Sequence, residues 1–224
     1  MTSTADWDAI RAEFGYDEAA DRAAALELKA ALRPQHWRML GVELRNRRNV
    51  AVLGCGPSLD QVPASQLAGK VVVAADGACT WLRQQGLVPH VVVTDLDGAP
   101  EDLAWAAQAG AHMVVHAHGD NRTRIRDLAP KLAAGYGTHQ VEPTPELEPL
   151  RNLGGFTDGD RAVLLCEAVG ALEVRLFGFD FDRLPGPYSH DWDPTTKPRK
   201  LAWAERIVAA CAARGRMRVV RWMP

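Results

Sequence analysis

The sequence predicts an α/β protein with a Rossmann-like, doubly wound, mostly parallel sheet that follows a helical N-terminal extension. From Asn49 onward, short valine-rich runs alternate with stretches of helical spacing, which is the pattern of parallel strands joined by helices. The runs are nearly continuous instead of alternating apolar with polar residues, and this indicates strands that are buried on both faces. Together these two observations predict the fold class.

The N-terminal residues have a different pattern. Residues 17–32 are rich in alanine at helical spacing, and Pro34 opens a second helical stretch. We expect residues 1–46 to form a helical extension that contributes little to function, and residues 47–224 to form the catalytic α/β domain. The residues expected to pack the extension on the main body are Trp37, Leu40 and Leu44.

The elements of the main body follow one another along the chain. Predicted strands cover 50–54, 71–76, 90–95, 112–118, 174–180 and 217–222. Predicted helices cover 58–68, 78–86, 100–110, 123–134, 159–171 and 200–215. The Pro-rich, acidic stretch 141–150 is predicted to be a surface loop.

Composition excludes several classes of protein. The net charge of −2 argues against a nucleic-acid partner bound by bulk electrostatics. No apolar run approaches the ~20 residues of a membrane helix, and the acidic N-terminus is unlike a signal peptide. The four cysteines are scattered without a C-x-x-C pair, as expected of reduced thiols. We therefore predict a cytoplasmic protein without membrane or nucleic-acid partners, and leave a homo-oligomer open.

Acidic residues follow several predicted strands, at the edge where parallel sheets bind ligands. Asp95 and Asp97 come after the third run and lie two apart, so they face the same side. Asp76 and Asp120 follow neighbouring runs. We predict that these four acids are catalytic and that Asp95, Asp97 and Asp120 bind Mg²⁺, which prefers carboxylates together with substrate phosphates. An ordinary turn capped by aspartate is the alternative for this segment.

The first predicted strand ends in a glycine-rich loop. Gly54, Gly56, Pro57 and Ser58 place backbone amides where a phosphate could approach, with Ser58 as a helix N-cap, and Gly77 follows the next strand. The loop is not a Walker motif, because no G-K-S/T follows it. A purely structural turn is an equally good interpretation of G-x-G alone.

A second glycine-rich stretch, residues 152–163, leads into a helix. Its Thr157 or Asp158 is expected to be a plain helix cap, although the neighbouring amides could hold an anion. The pair His116 and His118 could bind zinc. Since no cysteine or glutamate lies at matching spacing, a histidine that lines a polar phosphate pocket, His118, is the favoured interpretation.

A basic cluster starts the last predicted helix: Lys197, Arg199 and Lys200. Cations at a helix N-terminus oppose the helix dipole, which indicates an anionic ligand such as the phosphates of ATP. The alternative is a solvated helix start.

Six motifs in this order resemble the archaeal-type 6-hydroxymethyl-7,8-dihydropterin pyrophosphokinases, which are distantly similar to thiamine pyrophosphokinase. The motifs are "LGCGPSLD", "AADGA", "VVTDLDG", "VHAHGDN", "GFTDGDRA" and "GFDF". The resemblance runs from about Asn49 to Arg214, with the N-terminal helices outside it. A related branch with the same domain serves bacterial glycan-modifying proteins, so the substrate stays open.

The resemblance implies transfer of diphosphate from ATP to the hydroxymethyl group of the pterin, with release of AMP, in folate or methanopterin synthesis. It implies Mg²⁺ as cofactor, ATP as co-substrate and a small pterin alcohol as acceptor. Asp76, Asp95 and Asp97 match acids of the family motifs, and Asp120 with Asn121 matches the end of H-A-H-G-D-N. The lysines near 197–200 match a basic position.

Three alternatives to this function remain at this stage. A thiamine pyrophosphokinase-like enzyme and a glycosyltransferase that uses a sugar nucleotide would both need an acidic metal site in such a sheet. A nucleotide-binding module without catalysis would keep the glycine loop, but it has no need of four acids on one edge. No Ser-His-Asp or Cys-His set is discernible, so a covalent enzyme intermediate is not required.

Overall fold

The computed structural model of the chain describes residues 4–132, 134–190 and 192–223. The N-terminal part holds three helices: α1 (Thr4–Phe14), α2 (Glu18–Ala31) and α3 (Trp37–Leu44). The seven strands that follow are β1 (Val50–Leu53), β2 (Val71–Ala75), β3 (Val91–Thr94), β4 (His112–Ala117), β5 (Gly135–His139), β6 (Glu173–Phe177) and β7 (Arg218–Arg221). The remaining helices are α4 (Ala78–Gln84), α5 (Pro100–Gln108), α6 (Arg122–Leu128), α7 (Asp158–Val169) and α8 (Lys197–Ala213).

The strands form one parallel sheet in the order β5-β4-β3-β2-β1-β6-β7. Val50 of β1 pairs with Val71 of β2 on one side and with Val174 of β6 on the other. The chain therefore builds the sheet outward in one direction from β1 to β5 and then returns to the opposite side of β1. This reversal defines the switch point at β1 and β6, outside whose carboxyl ends an open α/β sheet binds its ligand.

Alternate residues of the central strands belong to two separate apolar cores. Val50, Val52 and Val73 lie in one core with α1, α3, α7 and α8, whereas Ala51, Leu53 and Val72 lie in the other with α2, α4, α5 and α6. Because successive strand residues point to opposite faces, the sheet is covered by helices on both faces. The predicted doubly wound α/β fold is confirmed.

All six predicted strands are present, and β5 is an additional one. Its sequence, "GYGTH", has two glycines and no apolar run, so propensity does not favour a strand there. Pairing with β4 and with the chain that precedes α3 imposes the strand instead: Gln35 N donates to Gly135 O (2.8 Å), and Gly135 N donates to Arg33 O (3.0 Å).

Two predicted helices differ in the structure, the first of them because of a proline. The stretch 58–68 forms two short 3₁₀ helices, Pro57–Gln61 and Ala64–Leu67. Pro63 separates them because it has no backbone N–H to donate a helical hydrogen bond. Helix α3 begins at Trp37, not at Pro34, and the His36 ring accepts from Arg38 N.

The N-terminal helices pack into both cores. Trp37, Leu40 and Leu44 are buried, as predicted. Ile10 of α1 lies in the same core as those three residues, whereas Leu28 of α2 lies in the other. The N-terminal segment is thus packed on both faces of the sheet, and a domain boundary at residue 46 stays a prediction.

In the part of the chain that the structure describes, no helix combines the length and apolar character needed to cross a membrane. All four cysteines are free thiols.

Candidate active site

Four carboxylates meet at the carboxyl edge of the sheet. Asp76 follows β2, Asp95 and Asp97 follow β3, and Asp158 is the first residue of α7. One oxygen of each lies within 4.8 Å of one oxygen of every other. We call these four residues the acid cluster. It lines a pocket that extends along the ends of five strands, from His118 after β4 to Phe181 after β6.

The turns that carry these acids have an unusual backbone. Asp76 has φ +37° and Leu96 has φ +70°, which are backbone angles that residues other than glycine rarely adopt. The Thr94 hydroxyl stabilises both turns, because it donates to the Asp76 carboxylate and accepts from Leu96 N (2.8 Å). Strain of this kind persists where the surrounding structure holds it, most often at functional sites.

Burial and mutual repulsion shift the pKa values of the cluster. Burial, reinforced by the charge of Asp97, raises the pKa of Asp76 well above its usual range. Burial and the charge of Asp95 raise the pKa of Asp158 and, less strongly, that of Asp97. Asp95 is the exception: although burial opposes it, the hydrogen bond from His118 lowers its pKa.

These shifts bear on whether the acid cluster fits a metal ion. Carboxylates held this close repel one another unless protons or a cation neutralise them. All of the donor atoms are oxygens, the ligands that Mg²⁺ and Ca²⁺ prefer. The donor set therefore fits a hard divalent cation.

Asp120 is not in the acid cluster. Its side chain is 74% exposed, and its carboxylate lies 3.9 Å from the outer nitrogen, Nδ1, of His118. Asp120 is the middle residue of a short 3₁₀ turn after β4, Gly119–Asn121, and its side chain points to solvent. The structure therefore does not support the prediction of Asp120 as a metal ligand, and Asp158 takes the fourth position.

Asn121 and His118 support Asp95 from behind. The Asn121 amide donates to Asp95 O (2.8 Å) and to His116 O (2.7 Å), and its oxygen accepts from His118 N (3.0 Å). His118 Nε2 lies 3.0 Å from the Asp95 carboxylate, while its Nδ1 accepts from Asp120 N. His118 lines the pocket, whereas Asn121 is buried beside it, and a role of either in binding phosphate stays a prediction.

The two histidines do not form a zinc site in the described structure. His116 is buried and pairs with Thr138 (3.0 Å) and Gln140 (3.1 Å). Its ring has no free nitrogen for a metal, and His118 is engaged by Asp95. The zinc alternative is therefore without support.

Backbone amides of the glycine-rich loop after β1 already donate hydrogen bonds within the protein. Gly54 N donates to Phe177 O and Gly56 N to Gly178 O, both at 2.8 Å, and Ser58 N donates to the Asp180 carboxylate at 2.8 Å. A Cβ on Gly56 would lie 2.7 Å from Gly178 O, so close packing against β6 requires the glycine.

The predicted phosphate-binding residues of this loop differ in whether they line the pocket. Gly54 and Gly56 line the pocket together with Gly77, but Pro57 and Ser58 do not. The amides of Gly54, Gly56 and Ser58 have no free N–H for a phosphate, and Pro57 has none at all. Phosphate binding by this loop thus loses its support, and the structural interpretation of G-x-G is favoured.

The basic cluster is divided between the pocket and the surface. Lys197 and Lys200 line the pocket, and Lys197 Nζ lies 3.5 Å from the Ser189 hydroxyl. Arg199 points away, where its guanidinium pairs with Glu13 (2.8 Å) and lies 4.8 Å from the ring of Phe14. Of the three predicted cations, only the two lysines are placed to contact a ligand.

Sequence reasoning missed several pocket residues. Asp158 was expected to be a plain cap, but Thr157 is the N-cap and Asp158 faces the acid cluster. Arg161 is 3% exposed and donates to Asp158 (2.8 Å) and to Phe156 O (3.2 Å). The signal was present in "GFTDGDRA", where acids in the first turn follow a glycine-rich stretch. Tyr16, in the N-terminal extension, also lines the pocket.

Known proteins are similar to this chain over most of its length. Residues 26–184 match the family described as 6-hydroxymethylpterin diphosphokinase MptE-like. Two proteins named 6-hydroxymethyl-7,8-dihydropterin pyrophosphokinase are each 38% identical to it. The protein from Pyrococcus furiosus matches over 96% of this chain and 95% of its own length. The protein from Methanothermobacter thermautotrophicus matches over 94% of each.

A solved structure, a MAf glycosyltransferase from Magnetospirillum magneticum AMB-1, is 20% identical with a TM-score of 0.47, over 78% of this chain and 29% of that one. The expectation that the N-terminal helices lie outside the resemblance is wrong, since the family match begins in α2 and the relatives align over nearly the whole chain. The chain therefore belongs to the MptE-like family of 6-hydroxymethylpterin diphosphokinases.

Proposed function

We propose that this protein transfers diphosphate from ATP to the hydroxymethyl group of 6-hydroxymethyl-7,8-dihydropterin and releases AMP. The observation that carries the proposal is the four-carboxylate cluster at the sheet edge of a chain that belongs to this family. Two relatives that carry this enzyme's name match over most of their own length. The free cysteines agree with our prediction of a cytoplasmic location.

We assign Asp95, Asp97 and Asp158 as the residues that would hold Mg²⁺ in this protein. Bound there, Mg²⁺ would neutralise charge on the β- and γ-phosphates of ATP. The hydrogen bond from His118 keeps the Asp95 carboxylate ionised, and Asn121 holds the backbone carbonyl of Asp95 in place. Arg161 holds the Asp158 carboxylate in place through its 2.8 Å contact.

The remaining groups are assigned to the reacting atoms. Lys197, which lines the pocket, binds the phosphates of ATP. The hydroxymethyl oxygen of the pterin attacks the β-phosphorus, the bond from that phosphorus to the oxygen of the α-phosphate breaks, and AMP leaves. The proton of the hydroxymethyl group needs an acceptor, and of the four acids predicted to be catalytic only Asp76 and Asp120 are not assigned to Mg²⁺ here. Because Asp76 lies in the pocket and Asp120 does not, we assign this role to Asp76.

Product analysis tests this function. The protein is incubated with ATP, Mg²⁺ and 6-hydroxymethyl-7,8-dihydropterin, and the nucleotides and pterins are separated by chromatography. We expect AMP and pterin diphosphate in equal amounts, little product when thiamine replaces the pterin, and no turnover after EDTA treatment. ADP as the main nucleotide product, or thiamine used as well as the pterin, would overturn the proposal.

A further inference from the structure

The pocket has an aromatic end as well as an acidic one. Tyr16 lies between α1 and α2, Phe156 just before α7, and Phe179 and Phe181 after β6. All four line the pocket, and we call them the aromatic wall. Flat apolar side chains bind planar rings through stacking and edge contacts, and they offer nothing to a phosphate chain.

The wall is a packed unit that does not depend on a ligand for its shape. The Tyr16 and Phe156 ring centroids are 6.1 Å apart. From outside the pocket, the Phe14 ring stacks on Tyr16 at 5.8 Å with an interplanar angle of 15°. Phe156 is 9% exposed and Phe179 6% exposed, so they form the base of the wall while Tyr16 remains half-buried. A ring surface held in this way loses little freedom when it binds a ligand.

The wall adjoins the acid cluster directly. Arg161 contacts Asp158 with one end of its guanidinium (2.8 Å) and Phe156 O with the other (3.2 Å). On the opposite side, a Cβ built on Gly159, the residue after Asp158, would lie 3.4 Å from the Phe179 ring. A ring bound to the wall therefore lies beside the reacting phosphates.

The closeness of the aromatic wall to the acid cluster indicates which of two rings it binds, the pterin of the acceptor or the adenine of ATP. The pterin ring is separated from its attacking oxygen by a single methylene group, whereas ribose and the α-phosphate separate adenine from the β-phosphorus. The ring with the short connection must lie next to the acid cluster. The wall thus suits the acceptor and not the nucleotide base.

Lys200 adds a polar group that fits the same ring. Its ammonium lies 5.9 Å from the centroid of Tyr16 and 5.8 Å from that of Phe156. In the described part of the chain it has no carboxylate partner within ion-pair distance. An ammonium is a donor without acceptor capacity. Pterin offers it a ring carbonyl oxygen and ring nitrogens, whereas adenine offers ring nitrogens alone.

We propose that Tyr16 and Lys200 bind the pterin ring of the acceptor against the aromatic wall, so that the N-terminal segment is part of the substrate site. This rests on the proposed function, because the choice between the two rings uses the chemistry of that reaction. Lys197 then serves the phosphates and Lys200 the acceptor, although both start the same helix.

The test compares Tyr16→Leu with Tyr16→Phe, and uses Phe14→Leu as the matched control because Phe14 lies behind Tyr16, outside the pocket. Binding of the pterin without ATP is measured by titration calorimetry, and KM is measured for each substrate. We expect Tyr16→Leu to raise the Kd and KM for the pterin about tenfold, as for loss of one stacked aromatic contact, with KM for ATP changed less than about twofold. Tyr16→Phe, which keeps the aromatic ring, should recover most of the affinity that Tyr16→Leu loses, and Phe14→Leu should keep the pterin Kd and KM of the unaltered protein.

The outcomes separate this inference from the function on which it rests. A rise in KM for ATP alone would place adenine on the wall, and unchanged binding in Tyr16→Leu would remove the ring site; either result overturns the proposal. An equal loss in Phe14→Leu would also overturn it, because packing would then be the cause. If the unaltered protein makes no pterin diphosphate but binds the pterin in a Tyr16-dependent manner, the wall stands and the proposed reaction fails.

Discussion

The turn after β1 and the turn after β3 both join glycine to polar residues at the same edge of the sheet, but they differ in what they leave unsatisfied. In the turn after β1, the amides of Gly54, Gly56 and Ser58 all have partners within the chain. In the turn after β3, the carboxylates of Asp95 and Asp97 converge with that of Asp76, with oxygens within 4.8 Å of one another. Buried polar groups are normally paired, so the second turn is organised for a ligand and the first for packing.

The largest expected effect is on the β3 turn. We expect Asp97→Asn to lower turnover about a thousandfold, comparable with the loss of a group that stabilises transition-state charge. Without Mg²⁺ its melting temperature should stay unchanged or rise, since a repelling charge is removed. Asp95→Asn should lose turnover as well, but with a lower melting temperature, because it forfeits the pairing with His118. Near-normal turnover of Asp97→Asn at saturating Mg²⁺ would contradict the metal assignment.

A pair of acids tests which residue completes the acid cluster. Asp158→Asn should lower turnover about a hundredfold, the range seen when a metal site loses support. Asp120→Asn should change turnover less than about threefold, because its side chain is exposed. Steady-state rates at several Mg²⁺ concentrations measure both. If the two variants exchange these effects, the sequence-based assignment of Asp120 was right after all.

Alanine substitutions of two glycines, one in each turn, test this comparison directly. A Cβ on Gly56 would collide with Gly178 O at 2.7 Å, and a Cβ on Gly98 would lie 2.5 Å from Asp76 Oδ2. We expect Gly56→Ala to destabilise the fold by about 2 kcal/mol, a typical effect of overpacking, with turnover of the folded fraction retained. Gly98→Ala should chiefly lower turnover. Thermal unfolding and turnover rates are measured on both variants. A Gly56→Ala protein that melts normally but is inactive would show that the turn after β1 has a catalytic role.

The smallest expected effect is a dependence of metal-free stability on pH. The pKa values of Asp76, Asp97 and Asp158 are raised in the folded protein, so the folded state binds protons more tightly than the unfolded chain. Their contribution to stability should therefore be greatest near pH 4 and be lost as pH rises through the raised pKa values, while the lowered pKa of Asp95 acts in the opposite direction. In EDTA, the unaltered protein should lose melting temperature relative to Asp97→Asn as pH rises, and saturating Mg²⁺ should reduce this loss. A difference in melting temperature between the two proteins that stays constant from pH 4 to pH 7 in EDTA would refute the repulsion on which the comparison rests.

Sequence patterns predicted those features that local chemistry determines. Buried valine runs located six strands, and the spacing of Asp95 and Asp97 located the centre of the site. The strand β5 escaped because pairing with β4, not propensity, imposes it. Asp158 escaped because its place depends on how α7 approaches β3, and Arg199 was assigned to the pocket because its partner, Glu13, lies 186 residues away.

That long-range contact has a consequence for how the protein is made. Glu13 accepts from Arg199 and, through its second carboxylate oxygen, from Trp203 Nε1 (2.8 Å), which lies 190 residues further along the chain. At about 5–20 residues per second, the ribosome needs roughly 10 to 40 s after α1 emerges before α8 exists to receive it. Until α8 is made, the rings of Phe14 and Tyr16 lack the side chains of Arg199 and Lys200 that lie over them in the folded protein. A nascent chain that stops short of residue 197 would carry every residue of the acid cluster and still lack Lys200, so its pocket would remain unfinished.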